Sequence, residues 1–139
     1  MKFYIATGLS NADNARKLSE MLVEAGHQPT YQWWIHGSVQ DPKRSIEDQM
    51  GRLVEVASAE ASGVRQANVV IVLLPGYRGT HTELGIAIGT GKEIIIHLPT
   101  GEELFDEHGR TCIFYHHPYA HLSVATSMGT LVDLVNDLV

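Results

Sequence analysis

The 139-residue sequence predicts an α/β fold, a doubly wound, five-stranded parallel sheet with helices on both faces. Three observations carry that prediction. Apolar, β-branched runs alternate along the chain with segments of helical periodicity, the pattern of repeated βαβ units. Two of those runs, Asn68–Leu74 and Glu93–Leu98, are apolar almost throughout, as expected of strands covered on both faces. The first of them breaks at Pro75-Gly76 and resumes as a helix, and open α/β sheets bind ligands at such strand–turn–helix junctions.

Lys2–Thr7 reads as the first strand, apolar and aromatic, and is stopped by Gly8. Ser10 or Asn11 can cap the following helix, whose apolar face is Ala15, Leu18, Leu22 and Ala25, with Gly26 as its C′ residue. Gln28–Ile35 reads as the second strand, with adjacent Trp33 and Trp34 facing opposite sides of the sheet. Asp41-Pro42 has the form of an N-cap followed by proline at N1, opening a long helix to about Gln66. Ile46, Met50, Leu53, Val54, Ala57, Ala61 and Val64 recur on one face of it, and Gly51 and Gly63 weaken it.

The third strand is Asn68–Leu74 and the helix after it Thr80–Thr90. Glu93–Leu98 is the fourth strand, Pro99–Arg110 a glycine-punctuated loop, and Thr111–His116 the fifth strand. Ser127–Val139 closes the chain as a helix with Leu131, Val132, Leu134, Val135 and Leu138 at its apolar positions. No repeat or linker interrupts the series, so residues 1–139 read as a single three-layer domain. The flavodoxin-like, Rossmann-like strand order 2-1-3-4-5 follows as the expectation. It reverses between the first and third strands and sets Thr7–Ser10 and Leu74–Thr80 on either side of a ligand crevice.

Composition narrows the partners. A net charge of -6 argues against a nucleic-acid backbone, which calls for a basic surface, but leaves room for a small ligand held at a helix N-terminus. The single cysteine, Cys112, excludes an internal disulfide. No signal-peptide pattern opens the chain and no run of roughly 18 apolar residues offers a membrane span, so a cytoplasmic location is expected.

One carboxylate stands out. Thr80-His81-Thr82-Glu83 fits a capping box, with Thr80 as N-cap and Glu83 reaching back to it. The same placement also suits catalysis: a glutamate in a first helical turn should have its pKa held down and remain ionised. An ionised carboxylate at the crevice can attack or stabilise a sugar C1 that develops oxocarbenium character.

Beyond this local reading, Ala67–Gly91, with Asn68 leading the strand and Glu83-Leu84-Gly85 in the helix, resembles the nucleoside 2-deoxyribosyltransferase family. Phe3-Tyr4-Ile5-Ala6, Ala25-Gly26-His27 and the continuation Gly91-Lys92-Glu93-Ile94-Ile95 extend the likeness over most of the chain. The resemblance implies cleavage or transfer of the N-glycosidic bond of (deoxy)nucleosides or their monophosphates, with Glu83 as catalytic nucleophile and no cofactor. It implies a second catalytic carboxylate at Glu60, where the family usually has aspartate, acting on protons. At about 100° per residue Glu60 lies roughly 65° from the centre of the helix's apolar face, whereas Asp48 and Glu55 point to solvent.

For substrate binding, the resemblance implies Tyr4 near the sugar, and the turn Gly76–Thr80 at the sugar end, with Gly76, Gly79 and Thr80 among its contacts. Tyr77 stands where relatives often carry Asp or Ser. The loop Thr7-Gly8-Leu9-Ser10 lacks the arginine of phosphate-preferring relatives, for which Arg78 and the N–H groups of Gly79–His81 are candidate substitutes. A homo-oligomer is also implied, dimer or tetramer, with a neighbouring subunit completing the site from near Arg110 or His117.

Two other readings stay open. Pro75–Glu83, PGYRGTHTE, is similar to the motif of cytokinin-activating phosphoribohydrolases, with Tyr77 in place of a glycine. A non-catalytic nucleotide-binding or sensing module on the same fold is the reading from another class. Among the eight histidines, His116, His117 and His121 cluster in sequence, but no Cys or Asp completes a metal set, so no metal is expected. His81, two residues before Glu83, is a further candidate for substrate contact.

Overall fold

The structure, a computed structural model, describes all 139 residues. Its centre is β3 (Val69–Leu73), in which every residue is buried. Valine, isoleucine and leucine pack well on a pleated surface, and burial on both faces leaves no place for the polar alternation of a half-exposed strand. β1 (Lys2–Ala6) lies on one side of β3 and β4 (Glu93–Leu98) on the other, with Phe3 level with Val69 and Val70 with Ile94. β2 (Gln28–Pro29) and β5 (Ala120–Val124) form the edges, and all four pairings are parallel, in the order β2-β1-β3-β4-β5. The predicted fold class and strand order are those observed.

The helices cover the sheet in pairs. α1 (Ala12–Glu24) packs with α4 (Met128–Asp137), and α2 (Ile46–Gln66) packs with α3 (Arg78–Gly89). Ala15, Leu18 and Leu22 of α1 are fully buried, as their spacing predicts, while Ala25 is exposed at its C-cap. Ser127 caps α4 by accepting the Gly129 N–H at 3.1 Å.

Both edge strands differ from the sequence reading. Only Gln28 and Pro29 pair with β1, and Trp33–Ile35 turns into a 3₁₀ helix. Pro29 has no N–H to donate, which limits it to a sheet edge. Beyond it Thr30 and Trp33 bond to β1 individually: the Thr30 N–H donates to Phe3 O at 2.9 Å and the Trp33 indole N–H to Ile5 O at 2.8 Å. Trp33 and Trp34 are therefore not on opposite faces of a sheet but edge to face, 5.7 Å apart.

The fifth strand is Ala120–Val124, not Thr111–His116. Both stretches carry strand-favouring residues, and packing decides between them. Ala120–Val124 pairs with Ile94–Leu98, whereas Ile113–His116 closes a 3₁₀ turn of its own, Tyr115 N–H donating to Cys112 O at 3.0 Å.

α2 begins at Ile46, not at Pro42. Ser45 is its N-cap, accepting the Asp48 N–H at 3.2 Å. Asp41 instead forms a turn, accepting the Lys43 N–H at 2.9 Å. The buried Gln49 side chain ties that turn to the helix: it accepts the Asp41 N–H at 2.7 Å and donates to Asp41 O at 2.9 Å.

The buried face of α2 also differs from its apolar stripe. Gln49, Val56, Gly63 and Val64 are buried, while Ile46, Met50 and Val54 are 62%, 48% and 60% exposed. The helix runs unbroken through both glycines. A Cβ on Gly63 would stand 2.9 Å from Tyr31 Cβ and 3.1 Å from the Tyr4 ring, so its glycine lets the helix approach β1 closely.

Candidate active site

The strand order reverses between β1 and β3, and the loops leaving their C-terminal ends diverge there. Thr7 fastens the first loop to the sheet by donating to Leu73 O at 2.7 Å, and Asn11 donates to the Thr7 hydroxyl at 3.1 Å. The second loop enters α3 through Tyr77, the N-cap, whose N–H donates to the Thr80 hydroxyl at 3.2 Å. Between the loops lies a cleft of about 760 Å³. Thr7 and Gly8 line it from one side, Tyr77, Gly79 and Thr80 from the other, and Glu60 and Glu83 from α2 and α3.

Glu83 is the sixth residue of α3 and 8% exposed. It is not part of a capping box, because the helix begins at Arg78 and places Glu83 a full turn beyond its start. The helix dipole acts over the first turn, so the expected low pKa is also overturned. Burial pushes the carboxyl up to about 8; the hydrogen bond from Tyr4 opposes the rise and Glu60 adds to it. Glu83 therefore keeps its proton to higher pH than an ordinary carboxyl does.

Tyr4 is fully buried and does not line the cleft. It reaches the site from beneath, its phenol donating to Glu83 Oε2. Burial and the adjacent Glu83 hold the phenol far above its usual range, so it remains a donor at any working pH. Glu60 is half-buried, and burial raises its pKa while His36 lowers it. Glu60 falls between Val56 and Gly63 on the buried side of α2, not on its flank. The apolar stripe used to orient the helix does not coincide with its buried face, Val64 belonging to both but Ile46, Met50 and Val54 being exposed, which explains the displaced reading.

Gly76 is not a wall of this cleft. A Cβ there would meet Thr80 Cγ2 at 2.7 Å, so the glycine serves the packing of the turn, and it borders a separate cleft of about 390 Å³. His81 borders that smaller cleft too, its Nε2 2.6 Å from the Tyr115 hydroxyl with the two rings stacked at 5.6 Å. Arg78 lines neither cleft.

Sequence reasoning missed His36 and Gln40, which line the main cleft beside Trp33 from the connection between β2 and α2. A signal was present: a loop leaving the C-terminal end of a parallel strand lies on the crevice side of the sheet. No group of three or more His, Cys, Asp or Glu is placed to hold a metal ion. His116 lies near Thr111, 3.0 Å away, and His117 accepts the Tyr119 N–H at 3.1 Å.

No family model matches the chain, and no curated protein sequence matches it. Among solved structures it is similar to a Clostridium botulinum CMP N-glycosidase, BcmB, with a TM-score of 0.60 and 17% identity over 100% of both chains. At that identity the likeness is one of fold.

Proposed function

We propose that the protein cleaves the N-glycosidic bond of a nucleoside or nucleotide and passes the sugar to water or to a second base. The observation that carries this reading is the arrangement of Tyr4, Glu83 and Glu60. A buried glutamate, held by a tyrosine hydroxyl, lines a ligand-sized cleft at the switch point, and a second carboxyl on another helix lines the same cleft. The fold likeness to an N-glycosidase and the resemblance of the Glu83 segment to deoxyribosyltransferases support the same chemistry.

In the proposed step the Glu83 carboxylate forms a bond to the sugar C1 as the C1–N bond breaks. The bonding pair leaves with the base nitrogen, which takes a proton from the Glu60 carboxyl. Water or a second base then attacks C1 and releases the Glu83 carboxylate, while Glu60 takes the proton of the incoming group. The reactive form of the pair carries one proton, on Glu60. Because Glu60 raises the pKa of Glu83, the two titrate together and the pH profile belongs to both. Tyr4 holds Glu83 in place and favours its ionised form.

A homo-oligomer belongs to the same proposal, supported by the exposed apolar stripe Ile46, Met50 and Val54 along α2. No helix is long and apolar enough to cross a membrane. The proposed partner is a small molecule, not nucleic acid or a lipid surface.

The test is chromatography of products from a panel of nucleosides and monophosphates, with and without an added free base. Released base that disappears in Glu83→Ala, with ligand binding kept, is the expected result. A wild type that releases no base from any member overturns the reading, and retained binding would then favour a non-catalytic sensing module.

A further inference from the structure

The walls of the main cleft carry no permanent cation. None of the 19 residues lining it is Lys or Arg, and its carboxyl and imidazole groups are Glu60, Glu83 and His36. His36 is a poor donor to a ligand: its Nδ1 lies 2.9 Å from Gly37 O and its Nε2 is buried without a partner. A phosphate monoester carries about −1.5 to −2 charges at neutral pH. In this cleft it would meet a carboxyl pair that carries one negative charge in its reactive form and no permanent counter-charge, and like charges brought together in a partly dry site repel strongly.

One place could still hold an anion, the N-terminus of α3 opposite the first loop. The ring of Tyr77, a residue 59% exposed, stands at that corner. A Cβ on Gly8 would lie 2.5 Å and 2.7 Å from Cδ2 and Cε2 of Tyr77, so the Tyr77 ring rests against the Gly8 backbone and bridges the two loops. Gly8 has an ordinary extended conformation, φ −70° and ψ 155°, which any residue can adopt. The glycine is needed there for the approach of the ring, not for the backbone.

We infer that the substrate is an uncharged nucleoside, and that Tyr77 packed on Gly8 excludes a 5′-phosphate from the start of α3. The inference rests on the N-glycosidic reading above and adds the class of substrate to it.

The experiment compares kcat/KM for nucleosides and their 5′-monophosphates in wild type, Tyr77→Phe, Tyr77→Ala and Ser10→Arg. Wild type and Tyr77→Phe should favour the nucleoside by about 100-fold, the order expected of a like-charge penalty of several kcal/mol. Tyr77→Ala opens the corner, and Ser10→Arg places a cation on the cleft wall. Each should narrow the preference by about 10-fold. Wild type that cleaves monophosphates as well as nucleosides overturns the inference and leaves the N-glycosidic reading standing. A Tyr77→Ala ratio equal to that of wild type has the same meaning.

If no substrate releases base, the N-glycosidic reading falls, and calorimetric titration of the same pairs into the same proteins reads the corner directly. Heat from nucleosides alone in wild type, joined by heat from monophosphates in Tyr77→Ala, supports the exclusion. Equal binding of both, or binding of neither, overturns it.

Discussion

Replacing Glu83 by glutamine keeps the shape of the side chain and an oxygen for Tyr4 to donate to, and removes only the ionisation. In the folded protein burial raises the Glu83 pKa from 4.5 to about 8. The folded state therefore binds this proton more tightly than the unfolded chain does. The stability that goes with it is fully present below pH 4.5 and is lost as the pH rises through about 8. At about 1.4 kcal/mol per tenfold in proton affinity, the whole loss is roughly 5 kcal/mol, of which about 3 kcal/mol has gone by pH 7.

Small proteins are stable by about 5–15 kcal/mol, so one carboxyl accounts for a large share. Glu83→Gln has no such loss. Urea denaturation of both proteins at pH 4, 7 and 9 should show the variant's advantage growing by roughly 5 kcal/mol across the series. At pH 9 that corresponds to a melting temperature higher by roughly 15 °C. The variant should release no base at any of these values. A stability difference that stays flat, or shrinks toward alkaline pH, would refute a desolvated Glu83 and restore an ordinary, well-solvated carboxylate.

Other outcomes follow from the same geometry. Tyr4→Phe removes the donor that favours ionised Glu83, so the alkaline limb, on which base release falls as the pair loses its last proton near pH 8, should move higher by roughly one pH unit in a pH–rate profile. A limb that moves toward acid would contradict the role given to the phenol. Gly63→Ala drives a methyl into Tyr31 and Tyr4 and should cost about 1–3 kcal/mol in urea titration. Gly51→Ala, with open space around it, should instead stabilise α2 by up to about 1 kcal/mol. Val54→Asp puts a charge in the exposed stripe of α2 and should lower the sedimentation coefficient of an assembly built on that face. An unchanged coefficient would move the interface elsewhere.

The central strands were legible because their signal is local and redundant. Val69–Leu73 and Glu93–Leu98 are apolar in almost every position, and no other element suits so short and dry a run. The edges were not. Gln28–Ile35 and Thr111–His116 carry aromatic and β-branched residues that favour a strand only if a neighbouring strand accepts them. One of these stretches leaves the sheet after Pro29, and the other lies outside it altogether. The choice between Thr111–His116 and Ala120–Val124 was made by the partner, β4, and not by either sequence.

By itself the sequence determined the layer order and the switch point, because strand periodicity and chain order are one-dimensional properties; the two carboxyls that line the cleft, Glu83 and Glu60, were picked out by the resemblance to deoxyribosyltransferases. Only the tertiary structure decided their chemical state. Glu83 read as a helix-start carboxylate held ionised, yet the helix starts earlier and the residue lies buried in the cleft wall with Tyr4 as its donor. Glu60 read as roughly 65° off the apolar face of α2, because that stripe, exposed at Ile46, Met50 and Val54, does not coincide with the buried face. Tyr77 resting on Gly8 joins residues 69 positions apart, 77 − 8, and no pattern along the chain registers such a contact. A pKa depends on how much water and charge surround a group, and that environment is assembled from segments distant in sequence.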